Sequence, residues 1–134
     1  MDDEFYREEI LDHYRDSAHR GHIASPDFCA DGENPLCGDS IHLESKLGSE
    51  GEICQVCFEG QGCAISQAAA SMLAEEIEGR TLEETKQFSK DELLARIGVS
   101  LSPMRRKCGL LCWHVLQHAL VDGKEEPASS SASG

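Results

Sequence analysis

Hydrophobic positions change their period several times along the chain, and each change marks an element. Tyr6, Ile10 and Tyr14 recur every four residues with Leu11 and His13 beside them, which predicts an amphipathic helix from about Asp3 to about Asp16. Its acidic start suits the positive end of the helix dipole. From Ser17 to Pro35 the pattern lapses into Gly, Pro, Asp and Asn, which signals an irregular connection with room for a short edge strand, suited to act as a mobile cover. Alternation returns from Ser40 to Leu47, with Ile41, Leu43 and Leu47 on one face and His42, Glu44 and Lys46 on the other. Gly48-Ser49-Glu50-Gly51 supplies a turn, and Ile53 to Glu59 alternates again, completing an antiparallel hairpin. Cys37 precedes the first of these strands and Cys63 follows the second, so the hairpin is expected to bring both to one end of the sheet.

The remainder reads as helical. Ala64 to Glu78 places Ile65, Ala68, Ala69, Met72 and Leu73 at helical spacing and stops at Gly79, which puts Cys63 at a helix N-terminus. Two capping boxes, Thr81-Leu82-Glu83-Glu84 and Ser89-Lys90-Asp91-Glu92, each open a short helix, the second closed by Gly98. A final helix begins after Ser102 with Pro103 in its first position. Met104, Cys108, Leu111, Val115 and Ala119 form one apolar stripe on it, and Leu110, Trp113 and Leu120 occupy other sides, so this helix is expected to be central. Residues 124–134 carry nothing to bury and are predicted to be a disordered tail after a single domain at 1–123. The expected class is α+β, a small antiparallel sheet with helices packed on it.

Composition narrows the function. The net charge of −13 argues against nucleic acid or an anionic membrane as partner, and it is compatible with a protein partner bearing a basic face. The same acidity also serves solubility. No run of 18 apolar residues occurs, and the chain opens Met1-Asp2-Asp3-Glu4 instead of with a basic and then apolar leader, so a soluble cytoplasmic protein is expected. Seven cysteines cannot all pair internally, which favours reduced, metal-directed thiols.

Three of these cysteines sit where an exposed thiolate is favoured. Cys63 has unpaired N–H groups and a helix dipole beside it, Cys108 follows the cations Arg105-Arg106-Lys107, and Cys37 is followed by Gly38, which permits close approach. With Asp39 they form a candidate site of three sulfurs and one oxygen. Such a set suits zinc or iron in tetrahedral geometry and selects against magnesium and calcium. The carboxylate is the harder and weaker ligand. Its departure opens one position, which suits a site that receives and gives up cargo.

The runs Asn34-Pro35-Leu36-Cys37-Gly38-Asp39, Gly60-Gln61-Gly62-Cys63-Ala64-Ile65-Ser66 and Pro103-Met104-Arg105-Arg106-Lys107-Cys108 resemble the U-type iron–sulfur assembly proteins, the SufU, IscU and NifU N-terminal family. Asp12-His13-Tyr14 resembles that family's first-helix motif, and the resemblance spans about residues 3 to 122. It implies an α+β fold of the SufE/NifU kind and a role in building iron–sulfur clusters with sulfur from a cysteine desulfurase. Matching positions make Cys37, Asp39, Cys63 and Cys108 the ligands of a zinc ion or a 2Fe-2S cluster, with Cys37 as sulfur acceptor and apo iron–sulfur proteins as recipients. Two functions follow from it: a scaffold that assembles or carries a cluster, and a zinc-dependent sulfurtransferase that relays persulfide sulfur. Lys107 stands where IscU-type members carry a histidine, which favours the SufU type. The 45-position step from Cys63 to Cys108 leaves little room for the insertion usual in that type. The family's first-helix motif is also usually followed by a proline-containing stretch, replaced here by Asp16-Ser17-Ala18-His19-Arg20.

Other chemistry-bearing residues have plainer readings. Cys54-Gln55-Val56-Cys57 has zinc-knuckle spacing but no second pair, and Cys54 is expected in the core beside Val56 and Phe58. Cys29 and Cys112 read as packing residues, although Cys112 lies one turn from Cys108 and a resolving-thiol role follows from that spacing. His114 and His118, four apart, read as a partly exposed helix face. The cations at 105–107 oppose the helix dipole, which points to a role at Cys108 or at a partner surface. Lys107 is a candidate counter-ion for Asp39. A zinc ion that merely staples the domain is the non-catalytic alternative, in which case chelation unfolds the chain.

Overall fold

The computed structural model describes residues 8–15, 17–35, 38–98 and 100–122. Leu36 and Cys37, the first turn of the predicted N-terminal helix and the predicted tail lie outside them. Among the described residues eight elements follow in order: α1 (Glu8–Arg15), β1 (Phe28–Asn34), β2 (Asp39–Leu47), β3 (Ile53–Gln61), α2 (Ala64–Ile77), α3 (Leu82–Lys86), α4 (Lys90–Ile97) and α5 (Pro103–Asp122). The strands form one antiparallel sheet in the order β1-β2-β3, so the expected hairpin is present and the expected edge strand is β1.

Strand alternation sorts the sheet into a dry and a polar face. Phe28, Ala30, Ile41, Leu43, Val56 and Phe58 are buried together with residues of α2 and α5 in one core. Close packing of α5 on β1 depends on Gly32, because a Cβ there would lie 2.5 Å from Val115 Cγ2. Helix α2 is apolar on nearly every side, as a helix wedged between the sheet, α1 and α5 must be. Both capping boxes form, each with the hydroxyl accepting from the N3 amide and the N3 glutamate accepting from the cap amide. Arg96 then ties α4 to its neighbours, donating to Glu9, Glu75 and Glu76 at 2.6, 2.7 and 3.1 Å.

The segment between α1 and β1 crosses the polar face. Phe58 N–H donates to His19 O and Gly21 N–H to Phe58 O, both at 2.9 Å, so the segment first pairs with the outer edge of β3. It then passes over β2 and enters β1 on the far side, where Asp27 N–H donates to Ser45 O at 2.8 Å. The segment was expected to be a mobile cover; backbone hydrogen bonds tie it to the sheet at both ends.

Several expectations are corrected. Cys54 is exposed, because a register shift pairs Lys46 with Gln55 but Leu47 with Ile53. That irregularity turns Ile53 and Val56 inward and leaves Cys54 outside the core. Tyr14 is 41% exposed and does not continue the Ile10 stripe; the helix is anchored instead through His13, whose Nδ1 lies 2.7 Å from Ser71 Oγ. Met104 is 50% exposed, so the buried stripe of α5 starts at Cys108.

Candidate metal centre

Three chain segments meet where β2 begins. Asp39 is the first residue of β2 and pairs with Asn34 at the end of β1, while the neighbouring Ser40 pairs with Gln61 at the end of β3. Gly62 and Cys63 then lead from β3 into α2, with Cys63 in the N-cap position at φ −74° and ψ 166°. Its side chain makes no capping hydrogen bond, which leaves the sulfur available to the site. Cys108 arrives from below on the second turn of α5.

The carboxylate of Asp39 is 1% exposed and is held by backbone. Cys63 N–H donates to Asp39 Oδ1 at 2.9 Å, and the Cys63 thiol lies 3.9 Å from Oδ2. One ligand atom from each of Asp39, Cys63 and Cys108 falls within 4.8 Å of the other two. Gly62 makes this possible. Its φ of +131° suits only glycine, and a Cβ there would run into Asp39 Oδ1 and come within 2.8 Å of Asp39 Cα.

These distances fit one ion. Zinc–sulfur bonds of about 2.3 Å in a tetrahedron place neighbouring sulfurs about 3.8 Å apart. Donors on different irons of a binuclear cluster lie farther apart than donors on one ion. The donor types, two thiols and a carboxylate already turned together, suit zinc or ferrous iron.

Of the four residues expected at the site, the structure brings together Asp39, Cys63 and Cys108; Cys37 lies outside the described residues. The expectation of exposed thiolates is corrected for Cys108, which is 0% exposed. Lys107 does not neutralise the carboxylate as expected: it is exposed, no ion pair joins it to Asp39 among the described residues, and the Cys63 amide donates to Asp39. Lys107 and Arg106 instead line an open groove of about 610 Å³ beside the centre, together with Glu33, Pro35, Leu110 and Leu111. Cys112 is buried, donates to Gly109 O at 3.7 Å, and burial pushes its thiol up to about 12, which suits packing and not a resolving thiolate. Cys29 is buried as well. His114 and His118 are both exposed and join no group of metal donors among the described residues. Burial, with the charge of Lys90, lowers the pKa of His114. The role of Gly62 was missed by sequence reasoning; two glycines before a cysteine that opens a helix were the available signal.

The comparisons agree with this architecture. The family model of the NifU-like N-terminal domain matches residues 5–129. The zinc-dependent sulfurtransferase SufU of Bacillus subtilis is 35% identical, covering 92% of this chain and 93% of its own. That alignment runs to 142 positions against 134 residues here, so the Bacillus protein carries residues with no counterpart in this chain. The iron–sulfur cluster assembly scaffold protein IscU of Thermotoga maritima is 33% identical over 86% of this chain and 92% of its own. Among solved structures, a candidate iron–sulfur cluster assembly scaffold for the SUF system from Fervidobacterium islandicum superposes with a TM-score of 0.73 at 32% identity, covering 86% and 96% of the two chains. The chain belongs to the NifU N-terminal family of iron–sulfur assembly proteins, the group that includes IscU and SufU. No helix among its described residues is long and apolar enough to cross a membrane.

Proposed function

We propose that this protein accepts sulfur from a cysteine desulfurase at a single-ion Cys3Asp centre and passes it into cluster assembly, working as a zinc-dependent sulfurtransferase. The observation that carries this reading is the compactness of the donor set, with Asp39, Cys63 and Cys108 gathered within 4.8 Å. Cys37, the fourth member by family resemblance, is the acceptor. When bound, zinc lowers the pKa of the thiols it touches and holds them in place. The Cys37 thiolate attacks the outer sulfur of the desulfurase persulfide, the sulfur–sulfur bond of that persulfide breaks, and the desulfurase cysteine leaves as a thiolate. Cys37 then carries the persulfide, to be handed to apo iron–sulfur proteins or their assembly machinery. Arg106 and Lys107 on the adjoining groove favour approach of an anionic persulfide, which gives the cations that oppose the dipole of α5 a function.

Native mass spectrometry of anaerobically purified protein, before and after incubation with desulfurase and cysteine, tests the relay. Retained zinc with added sulfur on Cys37 is expected. Normal sulfur acceptance by Cys37→Ser refutes the reaction as drawn.

A second reading, a scaffold holding a 2Fe-2S cluster, is favoured by the oxygen donor among sulfurs, since a weak ligand permits release. In that case two irons and two labile sulfides accumulate per site in the presence of iron and reductant. Asp39→Ala then slows cluster loss; faster loss from that variant counts against the scaffold. Cytoplasmic location belongs to this proposal as the compartment in which such thiols stay reduced.

A further inference from the structure

The polar face of the sheet carries a second set of donors that owes nothing to cysteine. His42 and Glu44 project from the middle of β2 on the same face, and the crossing segment lays His22 over them. His42 Nε2 lies 2.8 Å and His22 Nδ1 3.4 Å from Glu44 Oε2, and one donor atom from each of the three residues falls within 4.8 Å of the other two. A tetrahedral ion with bonds of about 2.0–2.1 Å to nitrogen and oxygen sets its donors about 3.3 Å apart, so each separation needs to change by no more than about 1.5 Å to close onto one ion.

The atoms behind these donors are also assigned. His42 Nδ1 faces Asp31 Oδ1 at 2.6 Å, and Asp31 is its cross-strand partner on β1. His22 Nε2 faces Glu59 Oε1 at 3.1 Å, and Glu59 pairs with His42 from β3. Glu44 Oε1 accepts from Ile23 N–H at 2.7 Å, and the Glu44 residue is only 8% exposed. His42 Nε2 and Glu44 Oε2 share a proton across 2.8 Å; an ion that displaces this proton meets lone pairs of His22 Nδ1, His42 Nε2 and Glu44 Oε2, with each ring protonated on the nitrogen that faces its outer carboxylate. Protein metal centres use this arrangement to fix the tautomer and orientation of their ligands.

We propose that His22, His42 and Glu44 form a second metal site for a divalent first-row transition ion, zinc or ferrous iron in chemical class, separate from the cysteine centre. Two imidazoles and a carboxylate disfavour magnesium and calcium, and three protein donors leave a position for water or another ligand. An ion reaches the site from an open groove of about 700 Å³ lined by Asp31, Glu33, His42 and Glu59, and the negative charge of the chain favours its arrival.

Cobalt(II) titration of the full chain under anaerobic conditions, read by optical spectrum and by metal content, separates the two sites. Cobalt on thiolates gives a sulfur-to-metal charge-transfer band, whereas cobalt at the second site gives only weak visible bands. Two equivalents are expected for the wild type. In His22→Ala the equivalent without the charge-transfer band weakens by at least about 100-fold, a loss larger than outer-shell changes produce. The His22 side chain is 60% exposed, so this variant keeps its fold. In Glu44→Gln, checked for folding by circular dichroism, the same equivalent weakens while the thiolate band is unchanged. One equivalent in the wild type, or a second equivalent that survives both substitutions, overturns the proposal and leaves the cluster as an ion-pair network.

Discussion

Two donor clusters share strand β2, one at its first residue and one at its middle, and they differ in almost every physical respect. At Asp39 the donors come from element ends: a strand start, a strand-to-helix junction and the second turn of a helix. They are sulfur-rich and sunk into the core, with Asp39 and Cys108 at 1% and 0% exposure. At His42 and Glu44 the donors come from the flat face of the sheet and a segment laid across it, and they are nitrogen and oxygen, with Glu44 buried, His42 half-buried and His22 exposed. One device is common to both. A backbone N–H takes one carboxylate oxygen, from Cys63 onto Asp39 Oδ1 at 2.9 Å and from Ile23 onto Glu44 Oε1 at 2.7 Å, and leaves the other oxygen for a ligand. Under the two proposals above, donors only a few residues apart differ in selectivity, thiols making a soft set and imidazoles a borderline one.

Breaking the first cluster alone should have the largest effect. Gly62→Ala drives a methyl group into Asp39 at a backbone conformation that alanine resists, so loss of about 2–4 kcal/mol of stability is expected together with loss of bound zinc. Unfolding in denaturant and metal content check this; a variant that melts normally and retains its zinc contradicts the role given to Gly62. Asp31→Ala should sharpen the contrast from the other side. It leaves the cysteine centre intact and weakens cobalt at His22–His42–Glu44 by about 10–100-fold, read by the same titration.

Thiol reactivity separates exposed sulfurs from packed ones. Alkylation at pH 8 followed by mass mapping should label exposed Cys54 and leave Cys112 unmodified, because burial holds its pKa at about 12. The sign of the linkage follows. A folded-state pKa raised above the ordinary thiol value of 9.0 contributes stability that is complete below pH 9.0 and is lost as pH rises towards about 12. Wild type should therefore lose stability relative to Cys112→Val across that window, measured by denaturant midpoints. The smallest effect is expected at Ser89→Ala, which removes a helix cap far in sequence from either cluster: a loss of about 1 kcal/mol with both metal equivalents unchanged.

Much of the first centre was legible because its residues stand in local motifs. A cysteine after two glycines and before an alanine-rich run predicts its own place at a helix start, and Asp39 before an alternating segment predicts its place at a strand start. The second cluster left little trace. His42 and Glu44 read only as the polar face of a strand, and His22 sits in a stretch without period. Their meeting depends on the path of the crossing segment and on the β1-β2-β3 register, which no local pattern encodes. Cys54 was misplaced for a related reason, since a register shift is decided by how two strands pair and not by the alternation of either.

By itself the sequence determined the element order, the caps and the α+β class, and it singled out Asp39, Cys63 and Cys108 as candidate ligands, because periodicity, capping and motif spacing act over a few residues. Only the tertiary structure decided that Cys108 is buried, that Asp39 is held by an amide instead of by Lys107, and that two histidines twenty residues apart converge on Glu44. These outcomes depend on which surfaces pack together, and packing joins residues that the chain itself keeps far apart.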